Sequence, residues 1–130
     1  MGAVIDTNIL VFDTFEDSEL HAEATTMLDS IDRWHLPSLI FHELIWFFRT
    51  RKIRLSQARQ TIEEYLTNEK TSFSPCTGDD ILFAVTRMRH YEDYNDLVIL
   101  SVARRLGVGL LTFDEELRRT AIRNSIPLAK

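Results

Sequence analysis

The chain contains one cysteine, Cys76, so no internal disulfide can staple it, and a reducing setting is the expectation. Glycine and proline are scarce, four and three among 130 residues, which excludes a collagen-like, linker-like or low-complexity chain. No apolar run approaches the roughly 20 residues that a membrane helix needs. Only Ala3-Val4-Ile5 stand between the first two residues and Asp6, too little for the apolar core of a secretory leader. Asp6 also occupies the place where an N-myristoylation signal requires Ser or Thr. These absences point to a cytoplasmic protein with no membrane partner. Positive charge is in short supply too: the formal net charge is −5, which argues against a protein that coats nucleic acid by bulk charge.

What is present is ordinary for a folded chain, 45% apolar and 27% charged, and its length fits one domain over residues 1–130. The charges are segregated. Arg49, Arg51, Lys52, Arg54 and Arg59 follow one another with no acid between them. Arginine, the better bidentate partner for phosphate, outnumbers lysine. Two readings of Arg49, Arg51, Lys52 and Arg54 stand side by side: a solvated helix end, or a nucleic-acid-binding patch.

Residues 91–117 organise the rest. Asp96 falls in the first turn of a helix whose apolar stripe runs Leu100, Ala103, Gly107, so its carboxylate heads the stripe instead of the wet face. Gly107 is a natural helix stop. Leu110-Leu111-Thr112-Phe113 then reads as a short buried strand, with Asp114 at its end and Glu115-Glu116-Leu117 opening another helix.

Earlier in the chain, Ala3-Val4-Ile5 is a short strand ending on Asp6. An acid after a buried strand either caps the next turn or sits where open α/β sheets place their chemistry. A moderate helix is expected from Ser18 to Ile31, with His21 on the surface, followed by a strand at Trp34-His35-Leu36. A helix over about 38–50 carries Ile40, Glu43 and Phe47 with Leu44 and Phe48 beside them, which puts Glu43 inside the apolar stripe. An unpaired buried carboxylate costs several kcal/mol, so Glu43 needs an arginine, a proton or a metal ion. Trp46 and Phe48 lie on the far side, as core or as a docking surface.

A second helix from Leu55 follows, with Ala58, Ile62, Tyr65 and Leu66 as its stripe, and this helical hairpin is expected to stand away from the sheet. Thr71-Ser72-Phe73-Ser74 is a weaker strand. The helix after Pro75-Cys76-Thr77-Gly78 is expected to bury Ile81, Leu82, Val85 and Met88, with Asp79 and Asp80 complementing its dipole. Glu92 and Asp93 are secondary acids, and Ile126-Pro127-Leu128 can add a last edge strand. Alternating strands and helices imply a parallel sheet in a layered α/β fold.

Asp6, Glu43, Asp96 and Asp114 thus share one property: each faces inward or stands over a strand end. Four converging acids with no nearby base repel, and a hard divalent cation relieves that repulsion. All-oxygen ligands suit Mg²⁺ or Mn²⁺, whereas zinc prefers Cys and His, which are not at ligand spacing here. Asn8 and Thr112 are placed to orient a ligand or a water behind the acids.

The set Val-Ile-Asp6-Thr-Asn8, a helical Glu43, Asn-Asp96 followed by Leu-Val-Ile-Leu-Ser-Val-Ala-Arg, and Leu-Thr112-Phe-Asp114 resembles the PIN-domain ribonucleases. The similarity spans essentially the whole chain, and at this length it is most like the VapC toxins of VapBC toxin–antitoxin pairs. The resemblance implies a three-layer α/β/α sandwich with a central, mostly parallel sheet. It also implies Mg²⁺- or Mn²⁺-dependent cleavage of RNA, a homodimer and a small antitoxin partner. It carries catalytic and metal-ligating roles onto Asp6, Glu43, Asp96 and Asp114.

Two other readings compete. A phosphatase working through an aspartyl phosphate wants a second acid two residues after the first and a lysine late in the chain. Here those places hold Asn8 and only Lys70 and Lys130. A non-catalytic protein of the same fold, binding RNA or a protein partner, has no reason to gather four acids.

Overall fold

The computed structural model describes residues 1–129. Strands β1 (Gly2–Ile5), β2 (Arg33–Pro37), β3 (Thr71–Ser74) and β4 (Gly109–Leu111) form a wholly parallel sheet in the order β3-β2-β1-β4. Parallel neighbours need crossovers, and helices supply them. They are α1 (Thr7–Thr14), α2 (His21–Ser30), α3 (Ser38–Thr50), α4 (Leu55–Thr67), α5 (Gly78–Arg87), α6 (Tyr94–Leu106) and α7 (Glu115–Arg123). The result is the three-layer α/β/α sandwich with a parallel sheet.

The strand order sets the site. The chain starts at β1, moves outward through β2 and β3, then returns to lay β4 on the other side of β1. The connections therefore leave in opposite directions between β1 and β4, and such a switch point opens a crevice at the carboxyl ends of the two strands. β1 is buried on both faces, Ala3, Val4 and Ile5 alike, as expected of a central parallel strand.

Helix α6 is the central helix, buried without interruption from Leu97 to Ala103. It stops where Gly107 turns left-handed (φ +67°) and its N–H reaches the Ala103 and Arg104 carbonyls. Its opposite end carries Asp96 in the first turn, preceded by a 3-10 turn at Tyr91–Asp93.

Helix α5 departs from the expected packing. Ile81, Leu82 and Val85 are 47, 63 and 43% exposed, and the buried side is Asp80, Phe83 and Ala84. The cause is an ion pair. Asp80 closes a capping box with Thr77, then accepts from the Arg105 guanidinium (2.9 Å) and the Ser101 hydroxyl (2.8 Å) of α6. Burial pushes the Asp80 carboxyl up, but Arg105, the Thr77 backbone and Ser101 outweigh it and hold its pKa below the usual range. Those bonds rotate α5 so that Ala84 and Phe83 meet the core, with Arg87 stacked over the Phe83 ring at 3.9 Å. Asp80 is thus a buried tether, not a surface acid tuning the helix dipole.

Three smaller expectations are also revised. The α3–α4 hairpin does not stand free, because Tyr65 is buried and its one hydroxyl proton is shared between Asp13 (2.8 Å) and the Leu10 carbonyl (3.1 Å), tying α4 to α1. His21 is half-buried, with its Nδ1 on the Phe12 carbonyl at 2.9 Å. The C-terminal edge strand reduces to one parallel bridge, Leu110 to Leu128. Phe48 is core, whereas Trp46 is 60% exposed.

Because the tether has one buried end and one partly exposed end, its two halves are unequal. Arg105→Met strands the Asp80 carboxylate and is expected to cost about 2–4 kcal/mol in urea unfolding. Asp80→Asn is expected to cost less, since the released guanidinium can turn to water. The reverse order would refute the tether.

Candidate active site

The crevice between β1 and β4 is closed by hydrogen bonds around one hydroxyl. Thr112, fully buried after β4, donates its Oγ1–H to Asp6 Oδ2 at 2.6 Å. The same oxygen accepts from the Asn8 amide (3.2 Å) and from the Asp114 backbone N–H (3.0 Å). Asn8 Oδ1 in turn accepts from the Phe113 N–H. Asp6 follows β1 directly, and as the N-cap of α1 its Oδ1 accepts from the Thr7 N–H at 2.8 Å. Asp114 caps α7, its Oδ1 accepting from the Glu116 and Leu117 N–H groups. Thr112 and Asn8 therefore stitch the two strand ends together behind the acids.

Glu43 reaches the same place from α3. One carboxylate oxygen accepts from the Thr7 hydroxyl at 2.6 Å and the other from the Asn95 amide at 3.2 Å. The compensation for its half-buried carboxylate is this pair of neutral donors; among the described residues no arginine pairs with it. Asp96, one residue on, accepts no hydrogen bond among the described residues.

These groups act on one another electrostatically. Burial, then repulsion from Asp6, Asp114, Glu43 and Glu116, pushes the Asp96 carboxyl up to about 7. Asp6 is pushed up to about 6, chiefly by burial and further by Glu43 and Asp114, against the pull of Thr112 and the Thr7 N–H. Among the described residues none of the four acids forms an ion pair. The structure thus brings Asp6, Glu43, Asp96 and Asp114 into one field, and no described base forms an ion pair with any of them.

This donor set fits a hard divalent cation: it is all oxygen, uncompensated, and includes a carboxylate with no other partner. Among the described residues no three acids, histidines or cysteines enclose an ion as they stand. Three of the carboxylates already accept hydrogen bonds, Asp6 from Thr7 and Thr112, Glu43 from Thr7 and Asn95, and Asp114 from the start of α7.

The family model described as the PIN domain matches residues 3–123. The chain belongs to the PIN domain family. Its fold is shared with solved structures of low sequence identity. Mycobacterium tuberculosis VapC20, described as a sarcin–ricin-loop-cleaving toxin, has 18% identity and a TM-score of 0.75, covering 91% of this chain and 94% of its own. VapBC2 from Rickettsia felis, bound to a DNA fragment from its promoter, has 17% identity and a TM-score of 0.67, with 92% of each chain covered. The PIN domain endonuclease Utp24 has 18% identity and a TM-score of 0.50, covering 91% and 74%. At these identities the likeness speaks for the fold. No curated protein matches the sequence significantly.

Within this PIN domain the arginine cluster at the end of α3 is partly engaged. Arg49 lies over Trp46 at 5.7 Å, and Arg51 over Phe47 at 5.2 Å and Phe15 at 6.0 Å. Lys52 turns left-handed (φ +57°) where the link begins. None of Arg49, Arg51, Lys52 or Arg54 lines the cleft that opens onto Asp96. That cleft, about 770 Å³, is lined by Asp96 and Glu116 together with Arg87, Arg89 and Arg123.

Sequence reasoning missed Thr7, Asn95 and Glu116. Thr7 and Asn95 had a signal, since each adjoins one of the acids. Glu116 had one too, two residues past Asp114 in a first helical turn.

The raised carboxyl pKa values fix a sign for stability. A carboxyl that holds its proton more tightly folded than unfolded favours the fold below its unfolded value, near 3.8, and that contribution is lost as pH rises through its folded value. In chelator, the contribution of these two groups to the melting temperature is expected to fall between roughly pH 4 and 7. Asp96→Asn is expected to raise it by a few degrees at pH 8 and to flatten the slope. Thermal unfolding across pH measures both; an Asn variant that melts lower at pH 8 would contradict the repulsion.

Proposed function

We propose that this PIN domain is a metal-dependent endoribonuclease and the toxin of a type II toxin–antitoxin pair. One observation carries the reading: acids from four separate segments raise one another's charge burden without an ion pair among the described residues, and one of them, Asp96, accepts no hydrogen bond there. A fold alone gives no reason to accept that repulsion; a cation site does.

Asp6, Glu43, Asp96 and Asp114 would hold Mg²⁺ or Mn²⁺. When bound, such an ion neutralises a phosphodiester's non-bridging oxygens and lowers the pKa of a water that attacks in line. The protein's own groups prepare that arrangement. Thr112 and the Thr7 N–H fix both oxygens of Asp6, and Thr7 with Asn95 fixes both oxygens of Glu43. Asp96 is left free to turn toward a ligand. Asn8 locks the β4 end through Thr112 and Phe113, so that Asp114 keeps its place at the head of α7.

The toxin reading draws support from family membership and from the fold shared with VapC20 and VapBC2. It brings a homodimer, a small antitoxin and a cytoplasmic setting. Exposed Ile45 and Trp46 on α3, and the apolar face of α5, provide surface for such partners. Among the described residues no helix is long and apolar enough to cross a membrane.

The test is cleavage of a mixed, structured RNA by wild-type and Asp96→Asn protein with Mg²⁺, Mn²⁺ or chelator. Cutting is expected only with metal, and the variant should fall by more than about 100-fold, beyond what loss of a supporting contact alone costs. Cutting that survives both chelator and the substitution would overturn the reading.

A further inference from the structure

Behind Asp6 the hydrogen bonds form a chain in which every donor points the same way. Arg118 of α7 donates from Nε to the Thr112 backbone carbonyl at 3.1 Å. Across that peptide, the Phe113 N–H donates to Asn8 Oδ1 at 3.2 Å. Across the Asn8 amide, Nδ2 donates to Thr112 Oγ1 at 3.2 Å, and that hydroxyl donates to Asp6 Oδ2 at 2.6 Å. The chain therefore starts on a cation and ends on a carboxylate.

Its direction is forced. A backbone N–H can only donate, so Phe113 requires the oxygen of the Asn8 side chain and leaves the amide nitrogen for Thr112. The Thr112 hydroxyl has one proton and two lone pairs. The Asn8 amide and the Asp114 N–H fill both lone pairs, so the proton goes to Asp6. In such a chain each bond polarises the next, and a charged donor at its head makes the stronger first bond. Arg118 has little other employment. Its one ion pair among the described residues is to an exposed acid, Glu115, at 3.6 Å, a kind of contact that contributes little.

We propose that Arg118 is a positioning residue of the acid crevice, whose charge reaches Asp6 through the Thr112–Phe113 peptide, Asn8 and the Thr112 hydroxyl. The inference rests on the cation-site reading and deepens it. Among the described residues no base forms an ion pair with the four acids, yet Asp6 receives part of a cation's effect without a guanidinium entering the crevice. The relay fixes Asp6 Oδ2 from behind, and each Asp6 oxygen keeps a lone pair for a metal ion.

Three substitutions separate the charge from the tie. Glutamine carries its amide nitrogen at the same place along the side chain as arginine Nε, so Arg118→Gln keeps a donor and removes the charge. Arg118→Met removes both, and Arg118→Lys restores a charged donor. The experiment is calorimetric titration of Mn²⁺ into each metal-free variant, with the Phe113 amide proton followed by NMR before metal is added. Arg118→Met is expected to weaken Mn²⁺ binding by about tenfold, Arg118→Gln by less, and Arg118→Lys least. The Phe113 amide proton should move upfield in the Met and Gln variants as its bond to Asn8 weakens. Because the effect travels through Asn8, Arg118→Gln should cost little more once Asn8→Ala is present, so the two losses do not add. Glu115→Gln should change neither quantity.

An Arg118→Gln protein that matches the wild type in both readouts would overturn the relay. So would a loss that persists in full beside Asn8→Ala, since the arginine would then act directly, or an equal loss in Glu115→Gln. Each of these leaves the cation site standing. A wild type that takes up no Mn²⁺ would remove the cation site, and this role of Arg118 with it.

Discussion

Carboxylates that are held together without a base repel one another, and the carboxyl edge of this sheet is arranged around that repulsion. Asp6 is pushed up by burial and by the charges of Glu43 and Asp114, and Asp96 by burial and by the charges of Asp6, Asp114 and Glu43. The fold holds the charges together by fixing them from behind. Thr112 bridges β1 and β4, Thr7 and Asn95 hold Glu43, and α7 draws on Asp114 for its cap. Each of these donors is neutral. A lysine or arginine would have stabilised the crevice more, and would have filled it.

The sheet order makes that arrangement possible. With β4 laid beside β1, the two strand-end acids are neighbours although 108 positions separate Asp6 from Asp114 in the chain. The buried α6 then carries Asp96 to the same edge, and α3, starting at the end of β2, presents Glu43 from the other side. The Asp80–Arg105 tether sets how α5 lies on α6, and α5 leads into the turn that exposes Tyr91.

Much of this was legible in the sequence because the signals were local. Ala3-Val4-Ile5 before Asp6, Leu110-Leu111 before Asp114 and Glu43 inside an apolar stripe all read directly from period and position. Helix α3 ran from Ser38 to Thr50 as its spacing predicts. What escaped depends on partners distant in sequence. Ile81, Leu82 and Val85 make a better apolar stripe than Phe83 and Ala84, and only the ion pair to Arg105 reverses the choice. Tyr65 looked like one more stripe residue until its hydroxyl met Asp13 and Leu10. The basic residues that line the cleft beside Asp96 are spread over α5, the following turn and α7, whereas Arg49, Arg51, Lys52 and Arg54 are contiguous in sequence and lie outside it.

The central claim is that the four acids are a cation site. Calorimetric titration of Mn²⁺ into metal-free protein tests it most directly, with Asp96→Asn and Asp6→Asn alongside. The account predicts saturable binding to the wild type that either substitution weakens by at least about tenfold, while both variants remain folded. Absence of binding to the wild type, or binding that both variants retain at full strength, would contradict it.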